Sequence, residues 1–149
     1  MNYSKRKKRK ALQLFLTFSS LVAVAAINYT IIHNPLVFVM VLTLFVHELG
    51  HYFVAKLKKA DPDYPYFIPL FPFTIGITRI KNLKDEYKSH VAIAGVIFSS
   101  LFLLTLISYN YVFNVFSNVA LFAMLFIEII FNLIGSDGKK HRKYKTLSL

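Results

Sequence analysis

Long apolar stretches separated by basic clusters constrain this chain more than any other feature of its sequence. All 18 Lys and Arg residues fall within residues 5–10, 56–88 and 139–145. The two segments between these clusters contain no basic residue. A helix needs roughly 20 apolar residues to cross a bilayer, and each segment is long enough to cross twice. The pattern predicts an all-α membrane protein with about four transmembrane helices.

Composition supports a membrane protein and argues against a soluble enzyme or a disordered chain. Hydrophobic residues make up 56% of the sequence and charged residues only 17%, whereas soluble proteins carry about 25% charged residues. We expect a single domain over residues 1–149. The sequence contains no cysteine, so disulfides and cysteine-ligated metals are excluded.

The apolar runs also predict where the helices lie and how they are oriented. We expect helices over 11–32 and 36–55, two more within 91–133, and a polar break at 109–118 that starts the fourth near Val119. The N-terminus (1–10), the 56–90 loop and the tail (138–149) then share one side with every basic residue. The positive-inside rule makes that side cytoplasmic, facing anionic lipid rather than nucleic acid. Residues 23–25 also resemble a signal-peptide cleavage site, but the apolar run continues to span length.

His47-Glu48-Leu49-Gly50-His51 lies inside the second apolar stretch. Residues four apart share one face of a helix, so His47 and His51 can bind one metal ion while Glu48 acts on a water molecule. An ionisable residue costs roughly 2.5–3.5 kcal/mol near the bilayer centre, and a chance match does not explain three of them. We therefore predict a metal site. Zinc fits best, although other divalent metals accept the same ligands.

Two acidic residues near the fourth span are candidates for the third ligand. Asp137 follows the apolar run and matches the motif in depth, because the motif also lies near the cytoplasmic end of its helix. Glu128 is nine residues earlier, about 13 Å along a helix, and we expect it to lie too deep. The sequence therefore favours Asp137, whose alternative role is to end the helix. It assigns no role to Glu128.

These motifs resemble the site-2 protease family of intramembrane zinc metalloproteases. The resemblance rests on the His-Glu-Leu-Gly-His motif, on 92–95 (Ala-Ile-Ala-Gly), on 132–134 (Asn-Leu-Ile) and on the Asp-Gly at 137–138. It implies that His47, His51 and Asp137 bind one zinc ion and that Glu48 is the catalytic base. Val96 stands where family members commonly have Pro. A soluble zincin using Asp85 and Glu86 downstream is a poorer match.

The segment between the second and third spans is predicted to be non-helical. Four prolines lie within 61–72, which excludes a regular helix, and 73–80 roughly alternates like a strand. Non-helical backbone at membrane depth must be buried in protein or line a wet cavity, so we expect a re-entrant hairpin beside the metal. Either its edge receives an unwound substrate by strand addition, or it is an interfacial loop. The candidate substrate-binding residues are Phe73, Ile75, Gly76, Ile77 and Asn132.

The resemblance implies a multi-pass zinc metalloendopeptidase, in a bacterial plasma membrane, that cuts membrane proteins or membrane-inserted peptides in or near their transmembrane segments. The alternative is a non-proteolytic regulator that binds membrane helices and keeps the metal site. The sequence identifies neither the substrate nor the oligomeric state.

Overall fold

The structure, a computed structural model, describes residues 3–70 and 73–134. This part of the chain is mostly helical, with two small antiparallel sheets. The elements in chain order are α1 Tyr3–Ile32, α2 Leu36–Leu57, β1 Asp61–Pro62, β2 Tyr66–Leu70, β3 Phe73–Ile77, β4 Ile80–Lys81, α3 Asp85–Phe113 and α4 Asn118–Ile134. Segments of α1, α2 and α3 are long and apolar enough to cross a membrane. The predicted class of helical membrane protein is confirmed at this level.

The predicted break between the first two helices is confirmed at residues 33–35. His33 adopts a left-handed conformation with φ of 51°, which a helix cannot continue through. Asn34 accepts the N–H of Leu36 through its side-chain oxygen at 2.9 Å. This bond satisfies one of the backbone donors left free at the start of α2.

Helix α3 is longer than the sequence analysis expected at both ends. It begins at Asp85, so the polar residues 85–90, assigned above to a loop, form its first turns. Asp85 and Glu86 favour this start, because acidic side chains are stabilising at a helix N-terminus. The helix continues to Phe113 through part of the predicted break at 109–118, and the chain turns at 114–117. The length of the apolar run predicted the apolar part of this helix and missed its polar first turns.

Small residues allow α2 and α3 to approach closely. A Cβ atom added at Gly50 would lie 2.7 Å from the carbonyl oxygen of Ala94 and 3.0 Å from Cβ of Phe98. Close approach through small residues is a common packing mode of membrane helices. It brings the C-terminal half of α2 against the first half of α3, which positions the metal motif.

Two apolar cores flank this contact. One is formed by α1, α2 and β2, with Val24, Val37, Val41 and Phe67 buried. The other is formed by α2, α3 and α4, with Val39, Leu103 and Leu121 buried. Helix α2 contributes to both cores, so the motif-bearing helix is held on two sides.

The start of α1 is tied to the segment between α2 and α3. Arg9 and Gln13 both contact the carboxylate of Asp63, at 3.2 Å and 2.8 Å. These contacts place the N-terminal basic cluster beside the loop that carries the second one. The third cluster, in the tail 138–149, lies outside the described residues.

Candidate metal centre

The two motif histidines project from successive turns of α2 and face each other. Their Nε2 atoms are 3.2 Å apart, and the rings meet edge to face at 79°. Two nitrogens bound to one tetrahedral metal at about 2.0–2.1 Å lie roughly 3.3 Å from each other. The pair is therefore already spaced as two ligands of one ion.

The opposite nitrogen of each ring has an acceptor of its own. His51 Nδ1 lies 2.7 Å from the carbonyl oxygen of Val91, and His47 Nδ1 lies 2.8 Å from Oε1 of Glu128. A carbonyl oxygen only accepts, so His51 carries its proton on Nδ1, and the carboxylate favours the same tautomer in His47. In the neutral rings, both Nε2 lone pairs then point into the same space. A cation between them removes their repulsion, so this donor set fits a divalent metal.

Glu48 completes the local cluster. Within the described residues, His47, Glu48 and His51 form a group whose ligand atoms lie within 4.8 Å of one another and can hold a metal ion. Glu48 is buried, and Thr78 donates its hydroxyl proton to Oε2 of Glu48 at 2.7 Å. A carboxylate held in this way beside two imidazoles is placed to take a proton from a water molecule between them.

Gly95 of α3 makes room for the two histidine rings. A Cβ atom at this position would lie 2.5 Å from Nε2 of His47 and 2.6 Å from Nε2 of His51. No side chain can occupy that space without moving the rings. Gly95, which belongs to the 92–95 segment of the family resemblance, thus has a direct steric role.

Strand β3 runs along the same cavity. The cavity has a volume of about 440 Å³, and its lining includes His47, Glu48, Glu128, Asn132 and residues 74–78. Gly76 lies directly against Glu48, because a Cβ atom there would be 2.5 Å from Cγ of Glu48. Of the predicted substrate-binding residues, the structure places Ile75, Gly76, Ile77 and Asn132 at the cavity.

The remaining predicted residue, Phe73, lies at the closed end of the hairpin. Its backbone pairs with that of Leu70, and its side chain is outside the described part of the structure. Asn132 donates to the backbone carbonyl of Glu128 at 2.8 Å, so its contact is with the main chain of that residue.

The two edges of the β2–β3 hairpin have different surroundings. Phe67 of β2 donates its N–H to the hydroxyl of Ser20 on α1 at 3.2 Å, so α1 covers the outer edge of β2. Phe67 pairs with Gly76. In an antiparallel pair, when the N–H and C=O of one residue point away from the partner strand, those of the opposite residue also point away from it. The N–H and C=O of Gly76 are therefore directed to the outer edge of β3, away from β2. Among the described strands, β3 pairs only with β2.

Glu128 is closer to the metal motif than the sequence analysis expected. The predicted depth of Glu128 relative to the motif was wrong, because its carboxylate reaches the ring of His47. Residue counting gives distances within one helix, but the shift of α4 against α2 depends on the turn at 114–117. Glu128 nevertheless contacts the Nδ1 side of the ring, opposite Nε2. The preferred third ligand, Asp137, lies outside the described residues.

Several contacts of the site were not anticipated. Sequence reasoning missed Thr78 and Ser99, which are common surface or helix residues with no distinguishing pattern. Glu128 had a signal, an acidic side chain in an apolar span, but its partner was not readable. Asp85, considered above for a soluble zincin, has a side chain that is 92% exposed at the start of α3.

No protein-family model, no curated protein and no solved structure matches the chain.

Proposed function

We propose that this protein is an intramembrane zinc metalloendopeptidase that hydrolyses peptide bonds in or near the transmembrane segments of its substrates. The observation that carries the proposal is the pair of Nε2 atoms facing each other at 3.2 Å. Glu48 and the edge of β3 lie in the same cavity. The resemblance to the site-2 protease family described above points to the same activity.

Each residue of the site has a distinct role in this proposal. His47 and His51 hold the metal through Nε2, and Asp137 supplies the third ligand. A bound zinc ion acidifies water and polarises the carbonyl of the scissile bond. Glu48 accepts the proton of the attacking water and passes it to the leaving amine. Thr78 holds the Glu48 carboxylate in position through its bond to Oε2.

The free edge of β3 is the proposed substrate-binding element. An extended peptide can add to an open strand edge through main-chain hydrogen bonds. The backbone groups of Gly76 point to that edge, and Gly76 is also the β3 residue packed against Glu48. A peptide bonded to Gly76 is thereby held beside the base. Because a helix hides its peptide groups in internal hydrogen bonds, the substrate must unwind first.

The basic clusters supply the proposed orientation. The N-terminus, the segment between α2 and α3 and the tail face the cytoplasm, since these regions hold all 18 Lys and Arg residues and basic residues favour the cytoplasmic side. The family resemblance implies that the membrane is a bacterial plasma membrane. The motif lies near the end of α2 that leads into the second cluster. Cleavage is therefore expected toward the cytoplasmic side of the substrate.

Co-expression with a single-span reporter tests the proposal. Two reporters differ only in one dipeptide of the cytoplasmic half, Asn-Gly in one and Leu-Leu in the other. We expect cleavage of the Asn-Gly reporter by the wild type, and a loss of about 10²–10⁴-fold in Glu48→Gln, the range for a general base. Zinc content measured on the purified proteins should be about one ion per chain in both.

The Glu48→Gln variant separates the alternatives, because Gln has nearly the same shape as Glu and cannot take the proton. Cleavage at the wild-type rate by Glu48→Gln would contradict the role of Glu48. Wild-type protein that binds zinc but cuts no reporter would favour the non-proteolytic regulator instead. Protein without zinc would contradict the metal site itself.

A further inference from the structure

We propose that Glu128 is a positioning residue that holds His47 in its metal-binding orientation from a different helix. The proposal deepens the proposed function and rests on the metal site formed by His47 and His51. It assigns a role to the one acidic side chain of α4, which the mechanism above does not use.

A single carboxylate oxygen of Glu128 joins three helices. Oε1 accepts the Nδ1 proton of His47 at 2.8 Å and the hydroxyl proton of Ser99. Ser99 is fully buried in α3, and its oxygen also lies 2.9 Å from the carbonyl oxygen of Gly95. The oxygen that receives the histidine proton is therefore fixed by a buried partner as well as by its own helix.

The two histidines are held by different kinds of acceptor. His51 is bonded to the main-chain carbonyl of Val91, which α3 fixes in place. His47 has its short contact with a side chain on α4, at 2.8 Å, and the hydroxyl of Ser99 on α3 lies farther from the same nitrogen, at 3.4 Å. The terminal torsion of a histidine is broad and roughly two-fold, so without its acceptor the ring of His47 can rotate and place carbon atoms where Nδ1 and Nε2 now lie. The orientation of His47 thus depends on a side chain of α4, whereas the orientation of His51 depends on the main chain of α3.

The position of Glu128 also distinguishes positioning from direct ligation. Its contact is with Nδ1, and the metal-facing atom of the ring is Nε2. Partners of this kind fix the tautomer and direction of a ligating histidine, and their loss typically costs 10–100-fold in metal affinity. The side chain of Glu128 is 16% exposed, so a substitution of similar length can replace it within the packed site.

Zinc affinity of the full-length protein in detergent tests the assignment. Glu128→Met keeps the length of the side chain in an apolar helix and removes the acceptor. We expect its dissociation constant for zinc, measured by competition with a chelator, to rise about 10–100-fold. Glu128→Gln retains a carbonyl oxygen that accepts the Nδ1 proton, so its loss should be less than about tenfold.

Two further measurements separate positioning from general destabilisation. Cobalt bound in place of zinc should show a changed visible absorption spectrum in Glu128→Met and a restored one in Glu128→Gln. Glu86→Gln is the matched control, the same kind of substitution at an acidic residue whose side chain is 58% exposed at the start of α3, and it should leave the zinc dissociation constant unchanged. Ser99→Ala should weaken zinc binding in the same direction as Glu128→Met, by a smaller factor.

The assignment is overturned if Glu128→Met binds zinc with the wild-type dissociation constant and cobalt spectrum. It is also overturned if Glu128→Gln loses as much affinity as Glu128→Met, because the accepted hydrogen bond would then not be the cause. If either of these results occurs and the wild type still binds zinc and cleaves the reporter, the role of Glu128 is contradicted and the proposed function is not affected. A wild type that binds no zinc would remove both.

Discussion

Replacing Gly95 by Ala tests the metal centre most directly, because it adds one methyl group where the two histidine rings meet. The new Cβ atom would lie 2.5 Å and 2.6 Å from the two Nε2 atoms, and ordinary contact begins at 3.4 Å. Each ring must therefore retreat by about 0.8–0.9 Å. Metal–ligand distances are expected to hold within about 0.2 Å, so rings displaced this far should bind one ion more weakly.

The added methyl group has two opposing effects on folding and a separate effect on metal binding. Gly→Ala inside a helix gains about 0.5–1 kcal/mol, whereas overpacking costs about 1–3 kcal/mol. The two effects partly cancel in the free energy of unfolding of the metal-free protein, which should fall by about 0–2.5 kcal/mol. If the overpacking cost falls on the metal-bound geometry, zinc affinity should fall roughly 5–150-fold, at 1.4 kcal/mol for each factor of ten.

Zinc titration against a chelator, together with thermal unfolding of metal-free protein in detergent, measures both effects. Val96→Ala is the matched control, since it alters the next buried residue of α3 and adds no atom beside the nitrogens. It should lose roughly 1–3 kcal/mol of stability and keep its zinc affinity. Wild-type zinc affinity in Gly95→Ala would refute the view that the two Nε2 atoms bind the metal in the observed geometry.

Two further substitutions test other parts of the structure. Gly76→Ala places Cβ 2.5 Å from Cγ of Glu48, so it should displace the carboxylate that acts as the base. The variant should retain zinc and lower reporter cleavage by at least about tenfold. Unchanged cleavage would argue against the contact between β3 and Glu48. Asn110→Ala should cost about 2–4 kcal/mol in unfolding experiments, because it leaves the N–H and C=O of Phe116 without the Asn110 side chain. Asn118→Ala removes only one bond and should cost about 1 kcal/mol; equal losses in both variants would contradict this account.

Part of the fold followed from the order of residues along the chain. The length of the apolar runs predicted helices over 11–32 and 36–55, which lie within α1 and α2, because run length acts within one segment. The prolines of 61–70 excluded a helix for the same reason. The ends of α3 were missed, since Asp85 and its neighbours form helical turns without an apolar face and are stabilised by their place at the helix start.

The sequence by itself determined the pairing of His47 with His51, because the pitch of a helix places residues four apart on one face. It also identified Glu48 as their neighbour. Only the tertiary structure showed that Glu128 reaches His47, that Gly95 leaves space for both rings and that α1 covers one edge of the hairpin. Those contacts join different helices and strands, whose relative shift and rotation depend on side-chain packing across the interface and not on spacing along the chain.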